Sequence, residues 1–363
     1  MSPRDDSAVY TLDKNMSPLE GSDIPLLWHD PREEPFRLSG FPWFAQDRAY
    51  RRMPTNPTLP LPASVDSLAN CTAGGQIGFQ TTSQRIAIRV KLTGRAGMGH
   101  MPSTGQCGFD LYLGSPGNQR FVNVSKYDHS KTDYELQLFH GPDDELRSAT
   151  LNFPLYIGVE SVQIGLEPEA DIAPPPEWAR PGPVVIYGTS ITQGGCAARP
   201  GMAYTNILSR WLNLECVNLG FSGNGLGEPE VARAMADVDD PQMYVLDYEA
   251  NAGESIRDTM EGFIAILRES HPDVPVLVVS RIGCPSELTH PETRRKAADR
   301  RAFQRDLVDA LKQAGDSHID FVDGTTLLGD DFDECTVDGS HPTDLGFWRM
   351  AKGLEPVFRK WTS

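Results

Sequence analysis

The chain has 363 residues, more than one ordinary domain, of which 39% are hydrophobic and 9% aromatic; that is enough for packed cores and too much for a disordered chain. Its net charge of −17 and isoelectric point near 4.9 exclude a surface built for nucleic-acid phosphates or for anionic lipid, since both demand basic residues. The start, "MSPRDDSAVYTLDKNMSPLEG", holds no apolar signal segment, and nowhere do ~20 apolar residues run together, so the expectation is a cytoplasmic protein with no membrane partner.

Residues 1–23 read as an N-terminal extension. From 24 to 167, short segments alternate apolar and polar residues with period two: 85–92, 109–114, 120–127, 134–139, 149–153 and 161–167. Clusters of Gly, Pro, Asn and Asp separate them, and no helical period of useful length interrupts them between 60 and 165. Half-buried strands at such spacing predict an all-β sandwich of the jelly-roll kind. The stretch "EPEADIAPPPEWARPGP" breaks every period, so 168–182 reads as a stiff, proline-rich linker.

Beyond it the pattern becomes strand then helix, repeated. Strands are predicted at 183–188, 215–220, 242–248, 274–280 and 319–324, and helices at 203–214, 228–238, 255–271, 292–315 and 343–361. Continuous apolar strands alternating with helices predict a three-layer α/β/α domain, 183–363, around a parallel sheet. In such sheets ligands sit at the carboxyl ends of the strands.

Chemistry collects at that edge. Ser190, in "PVVIYGTSITQGGC", ends the first strand and opens a helix. A serine is a weak nucleophile unless a base takes its proton. Of eight histidines, His29, His100, His129 and His140 lie in the sandwich half, in no acidic or serine context that stands out. His271 and His318 suit a helix end and a turn, and His290 suits a surface loop. His341 differs, because "VDGSHPTDLGF" puts Asp338 three residues before it. A carboxylate there can hold the imidazole tautomer and steady its charged form. "NLGFSGNG" and "LDYEANAG" follow the next two strands, so the Gly223 amide and the Asn251 side chain are candidate oxyanion donors. The six cysteines are scattered, with no metal-ligand spacing, and read as free thiols.

The blocks "GTSIT", "GFSGNG", "EAN" and "DGSHP", in this order, resemble those of the GDSL/SGNH hydrolase superfamily over about 180–360. The resemblance implies a flavodoxin-like SGNH fold with Ser190, Asp338 and His341 as triad. It implies an oxyanion hole from the Ser190 amide, Gly223 and Asn251, with no cofactor and no metal. Thr189 stands where the family usually has Asp, and Glu249-Ala250-Asn251-Ala252 where Gly-x-Asn-Asp is usual; neither change removes a catalytic atom. The α/β-hydrolase elbow, Gly-x-Ser-x-Gly, fails because position 192 is threonine. The two-domain layout resembles the subfamily with an N-terminal carbohydrate-binding-like sandwich, which includes carbohydrate esterases and a polyketide-tailoring acyltransferase of antibiotic biosynthesis.

The expected reaction is acyl transfer through an acyl-serine, from an ester or thioester donor to a hydroxyl of a small molecule or sugar. Hydrolysis is the alternative. A non-catalytic carbohydrate-binding protein has no need of a complete triad. Thr189, Arg199, Glu249 and Trp43 are expected substrate contacts.

Overall fold

A computed structural model describes residues 13–362; residues 1–12 of the expected N-terminal extension lie outside the described residues. Of the rest, Leu19 N–H donates to the Lys126 carbonyl at 2.7 Å, and the Glu20 carbonyl accepts from Gln137 N–H at 2.8 Å. This part of the extension therefore lies along the sandwich.

The period-two segments form strands as the alternation predicts. Ten strands of the described residues, β1 to β10, make two antiparallel sheets. One has the order β1 (Leu27–His29), β9 (Val159–Leu166), β4 (Arg85–Leu92), β7 (Asp133–His140). The other runs β10 (Ile172–Ala173), β3 (Gln76–Thr81), β8 (Arg147–Asn152), β5 (Asp110–Leu113), β6 (Arg120–Val124), with β2 (Arg37–Ser39) also on β3. In β7, Tyr134, Leu136 and Leu138 point inward while Asp133, Glu135 and His140 face solvent. Ile88, Leu136, Leu151 and Ile164 are among the fully buried residues between the sheets. Each such side chain contributes about 1.5–3 kcal/mol by leaving water.

The second domain holds a five-stranded parallel sheet in the order β12 (Cys216–Gly220), β11 (Val184–Gly188), β13 (Met243–Asp247), β14 (Val276–Val279), β15 (Ile319–Val322). Val185 and Tyr187 pack on one face, against helices Pro229–Ala236 and Ile256–Ser270. Val184 and Ile186 pack on the other, against Tyr204–Leu212 and Asp344–Thr362. Both faces are covered, which is why these strands are continuous apolar runs.

Each of these cores also takes side chains from the first domain: Met53, Val65 and Ala69 on one face, and Ala73, Met101 and Leu155 on the other. The proline-rich stretch is laid onto this joint. Ile172–Ala173 pairs with β3, Gln80 and Arg37 donate to the Pro174 and Pro176 carbonyls, and Asn213 donates to the Glu177 carbonyl. All six cysteines are free thiols. Among the described residues, no helix is long and apolar enough to cross a membrane.

Candidate active site

β11 ends at Gly188, where a side chain cannot fit: a Cβ would lie 2.0 Å from Thr192 Oγ1 and 2.6 Å from the Asp247 carbonyl. The chain can then turn at once into the one-turn helix Ser190–Gln193. Thr189 caps it, its Oγ1 accepting from Ile191 N–H at 3.2 Å. Ser190 takes the first helical position, where a backbone N–H has no intrahelical acceptor. Its Oγ lies 2.8 Å from His341 Nε2.

Thr336 and Pro342 form a bridge across the loop that carries the histidine. Inside it, Asp338 Oδ1 accepts from Ser340 N–H at 3.0 Å and from His341 N–H at 2.8 Å. Asp338 Oδ2 lies 2.7 Å from His341 Nδ1. Partial burial alone raises the Asp338 pKa, but the two backbone donors and the imidazole outweigh it and hold the carboxylate below its usual range. With Nδ1–H on Asp338, Nε2 is left as acceptor for the Ser190 hydroxyl.

Gly223 lies exposed in the turn after β12, at φ +72°. Asn251 sits in the short helix Glu249–Ala252 after β13, and its Oδ1 accepts from Gly225 N–H at 3.2 Å. That bond occupies the amide oxygen, so the NH₂ is the part of Asn251 that can donate to a ligand. Gln193 ties these pieces together: its Oε1 accepts from Ser222 N–H at 3.0 Å and its Nε2 donates to the Leu155 carbonyl of the sandwich at 3.1 Å.

The structure gives the four expected substrate contacts partners within the protein or a place away from Ser190. Thr189 is buried, and its Oγ1 accepts from Ile191 N–H in the cap. Arg199 forms an ion pair with Asp110 at 2.9 Å, bonds the Tyr112 hydroxyl and lies over Phe121. Glu249 is buried, accepting from Arg300, from Gln304 and from Arg281 N–H. Trp43 borders a groove with Pro183 and Glu215, at the amino ends of β11 and β12, on the edge opposite Ser190.

Sequence reading missed three residues. The Arg52 guanidinium, fully buried, reaches from the first domain to the carbonyls of Asn218 and Gly220 beneath the Gly223 turn. Asp110, also fully buried, accepts from Gly201 N–H as well as Arg199, and so clamps the loop that follows Ser190. His100 of the first domain lies 3.8 Å from Asp338 and 5.9 Å, ring to ring, from His341. No local signal marks any of them, because every partner lies in a distant segment.

Comparison with known proteins follows this geometry. Residues 181–359 match the profile of the GDSL-like lipase/acylhydrolase family, and residues 26–172 match the N-terminal domain of SGNH-hydrolase-type esterases named GxDLY. That motif stands here as Gly108-Phe109-Asp110-Leu111-Tyr112, so it supplies both side chains that hold Arg199. A GDSL-like lipase from Bacteroides ovatus is 30% identical, with 93% of this chain and 98% of that one covered and a TM-score of 0.85. The fold is shared with the salicylyl-acyltransferase SsfX3 from a tetracycline biosynthetic pathway (20% identity, 92% and 97% covered, TM-score 0.73). It is shared too with a family two carbohydrate esterase from Cellvibrio japonicus (13%, 93% and 99% covered, 0.58). A comparison with curated proteins finds no match. Profile matches over both domains and a 30% identical relative spanning nearly the whole chain agree, and the chain belongs to the GDSL/SGNH family of lipases and acylhydrolases.

Proposed function

We propose that this protein is an esterase that forms an acyl-enzyme on Ser190 and passes the acyl group to water. The observation that carries the reading is the continuous relay from Ser190 Oγ through His341, at 2.8 Å, to Asp338, at 2.7 Å. His341 Nε2 takes the hydroxyl proton as Oγ attacks the ester carbonyl. The Ser190 and Gly223 amides and the Asn251 NH₂ receive the oxyanion, and His341 returns the proton to the leaving alcohol. Water then enters by the same steps.

Hydrolysis is preferred over transfer because the His341 and Asp338 side chains are 24% and 33% exposed. A transferase must keep water from its acyl-enzyme, and a relay this open favours water. The substrate class is an ester of a hydroxylated compound such as a sugar; the shared fold with carbohydrate esterases supports it. One observation favours the second reading, transfer to a hydroxyl of a natural product. The sandwich reaches the nucleophile turn, where the Tyr156 hydroxyl donates to the Ser190 carbonyl at 3.4 Å, and such a wall could seat an acceptor.

The test is the fate of the acyl group. With an activated ester, wild type should carry a Ser190 adduct detectable by mass. Ser190→Ala and His341→Ala should each lose most of the turnover, and the double variant little more. Turnover by Ser190→Ala near that of wild type would end the acyl-serine reading. An ester product that grows at the expense of free acid as a polyhydroxylated acceptor is added would establish transfer instead.

A further inference from the structure

We propose that His100, Cys196, Asp338 and His341 form a binding site for a divalent cation of the zinc class, and that the ion bound there shuts off the active site. Each residue offers one ligand atom, and the four atoms lie within 4.8 Å of one another. They come from separate stretches of chain: a loop of the sandwich, the turn after the Ser190 helix, and the loop before the last helix. No ligand spacing in the sequence could announce them.

A thiolate, two imidazoles and one carboxylate are the donor set of a tetrahedral zinc site. Magnesium and calcium take oxygen ligands instead. Metal–ligand bonds of about 2.0–2.3 Å place tetrahedral ligands roughly 3.3–3.7 Å apart. Asp338 already lies 2.7 Å from His341 and 3.8 Å from His100, so closing the site takes side-chain shifts of about 1 Å. The His100 side chain is 43% exposed and has room for such a shift. Cys196 stands at φ +74°, a backbone conformation that glycine adopts freely and other residues rarely. As Cys196 ligates, its thiol proton passes to solvent.

The consequence for activity follows from His341. Its Nε2 faces Ser190 and its Nδ1 faces Asp338, so both nitrogens are in use. An ion taking Nε2 displaces the serine. An ion taking Nδ1 leaves the ring proton on Nε2, which then cannot accept from Ser190. The ion is therefore an inhibitor and not a cofactor. The inhibition, though not the site, rests on the acyl-serine reading.

The experiment uses cobalt and zinc on the purified full chain. Cobalt(II) should bind at one per chain with a thiolate-to-metal charge-transfer band, which zinc displaces, which Cys196→Ser abolishes and which His100→Ala moves to higher cobalt concentrations. Zinc should block turnover of an activated ester and a chelator should restore it. In Cys196→Ser metal-free turnover should stay near wild type, while in both variants the half-inhibiting zinc concentration, read relative to each variant's own metal-free turnover, rises at least about tenfold. Absence of the band in wild type, or inhibition unchanged in both variants, would overturn the site. Stoichiometric cobalt binding with undiminished turnover would overturn the shut-off alone, because the acyl-serine reading is judged separately by the Ser190 adduct and by Ser190→Ala.

Discussion

The Arg52 guanidinium donates to the Gly220 carbonyl at 2.6 Å, from the first domain into the last residue of β12. It also donates to the carbonyls of Asn218, Leu68 and Cys71 and lies over the Phe221 ring. Burial pulls its pKa down to about 10, so it stays charged at neutral pH. A charged fork thus sits under the turn that carries Gly223, satisfied by carbonyl dipoles.

Arg52→Ala strands those carbonyls in a dry joint. Each buried group left unsatisfied costs about 1–3 kcal/mol, so a loss of several kcal/mol is expected, with turnover falling as the 221–225 turn loosens. Arg52→Lys should lie between, since an ammonium cannot reproduce the fork. Urea unfolding midpoints and turnover numbers measure both. An unfolding midpoint unchanged in Arg52→Ala would refute this account.

Asp110 is fully buried, and Arg199 is its charged partner. Removing one member of a buried pair costs about 3–5 kcal/mol; the partial exposure of Arg199, 18%, puts the value at or below the low end. Arg199→Ala should therefore lower the thermal midpoint and leave the KM for a small ester unchanged. A raised KM at unchanged stability would return Arg199 to the substrate.

Asn251 and Glu249 occupy one short helix and should fail differently. Asn251→Ala should lower turnover by about 10²–10³ with little change in KM, the cost of one oxyanion donor. Glu249→Ala removes the acceptor of Arg300, Gln304 and Arg281 N–H. It should show first as lost stability in denaturant, with a smaller fall in turnover. Steady-state kinetics and unfolding curves on the pair separate the roles. A rise in KM for Asn251→Ala without loss of turnover would make Asn251 a binding residue.

Asp247 lies buried behind the nucleophile turn. Burial pushes its pKa up to about 7, against the hydrogen bonds from Tyr204 and Thr192, which lower it. The folded state thus keeps a proton that the unfolded chain, titrating near 3.8, gives up. The stability this group supplies is complete below that value and is lost as pH rises through about 7. Wild type should therefore lose unfolding free energy across this window, and Asp247→Asn should lose less. Parallel stability–pH curves for the two proteins would exclude this group as the source.

The sequence by itself determined the two-domain order, most strands and the long helices of the second domain. Periods of two and 3.6 record which face of each element is buried, and that is a local property. It also carried the candidate triad, because Asp338 and His341 share one loop and Ser190 ends a strand. Shorter elements left no such record. β3 is buried on nearly every position, so it does not alternate, and β10 is a two-residue pairing inside a proline-rich stretch. Only the tertiary structure decided where the long polar side chains find their partners. Arg52 under the Gly220 carbonyl, Arg199 on Asp110, Glu249 on Arg300 and His100 beside Asp338 are contacts through space between segments far apart in the chain. A charged side chain in the sequence looks free for substrate until folding shows that burial has already obliged it to pair.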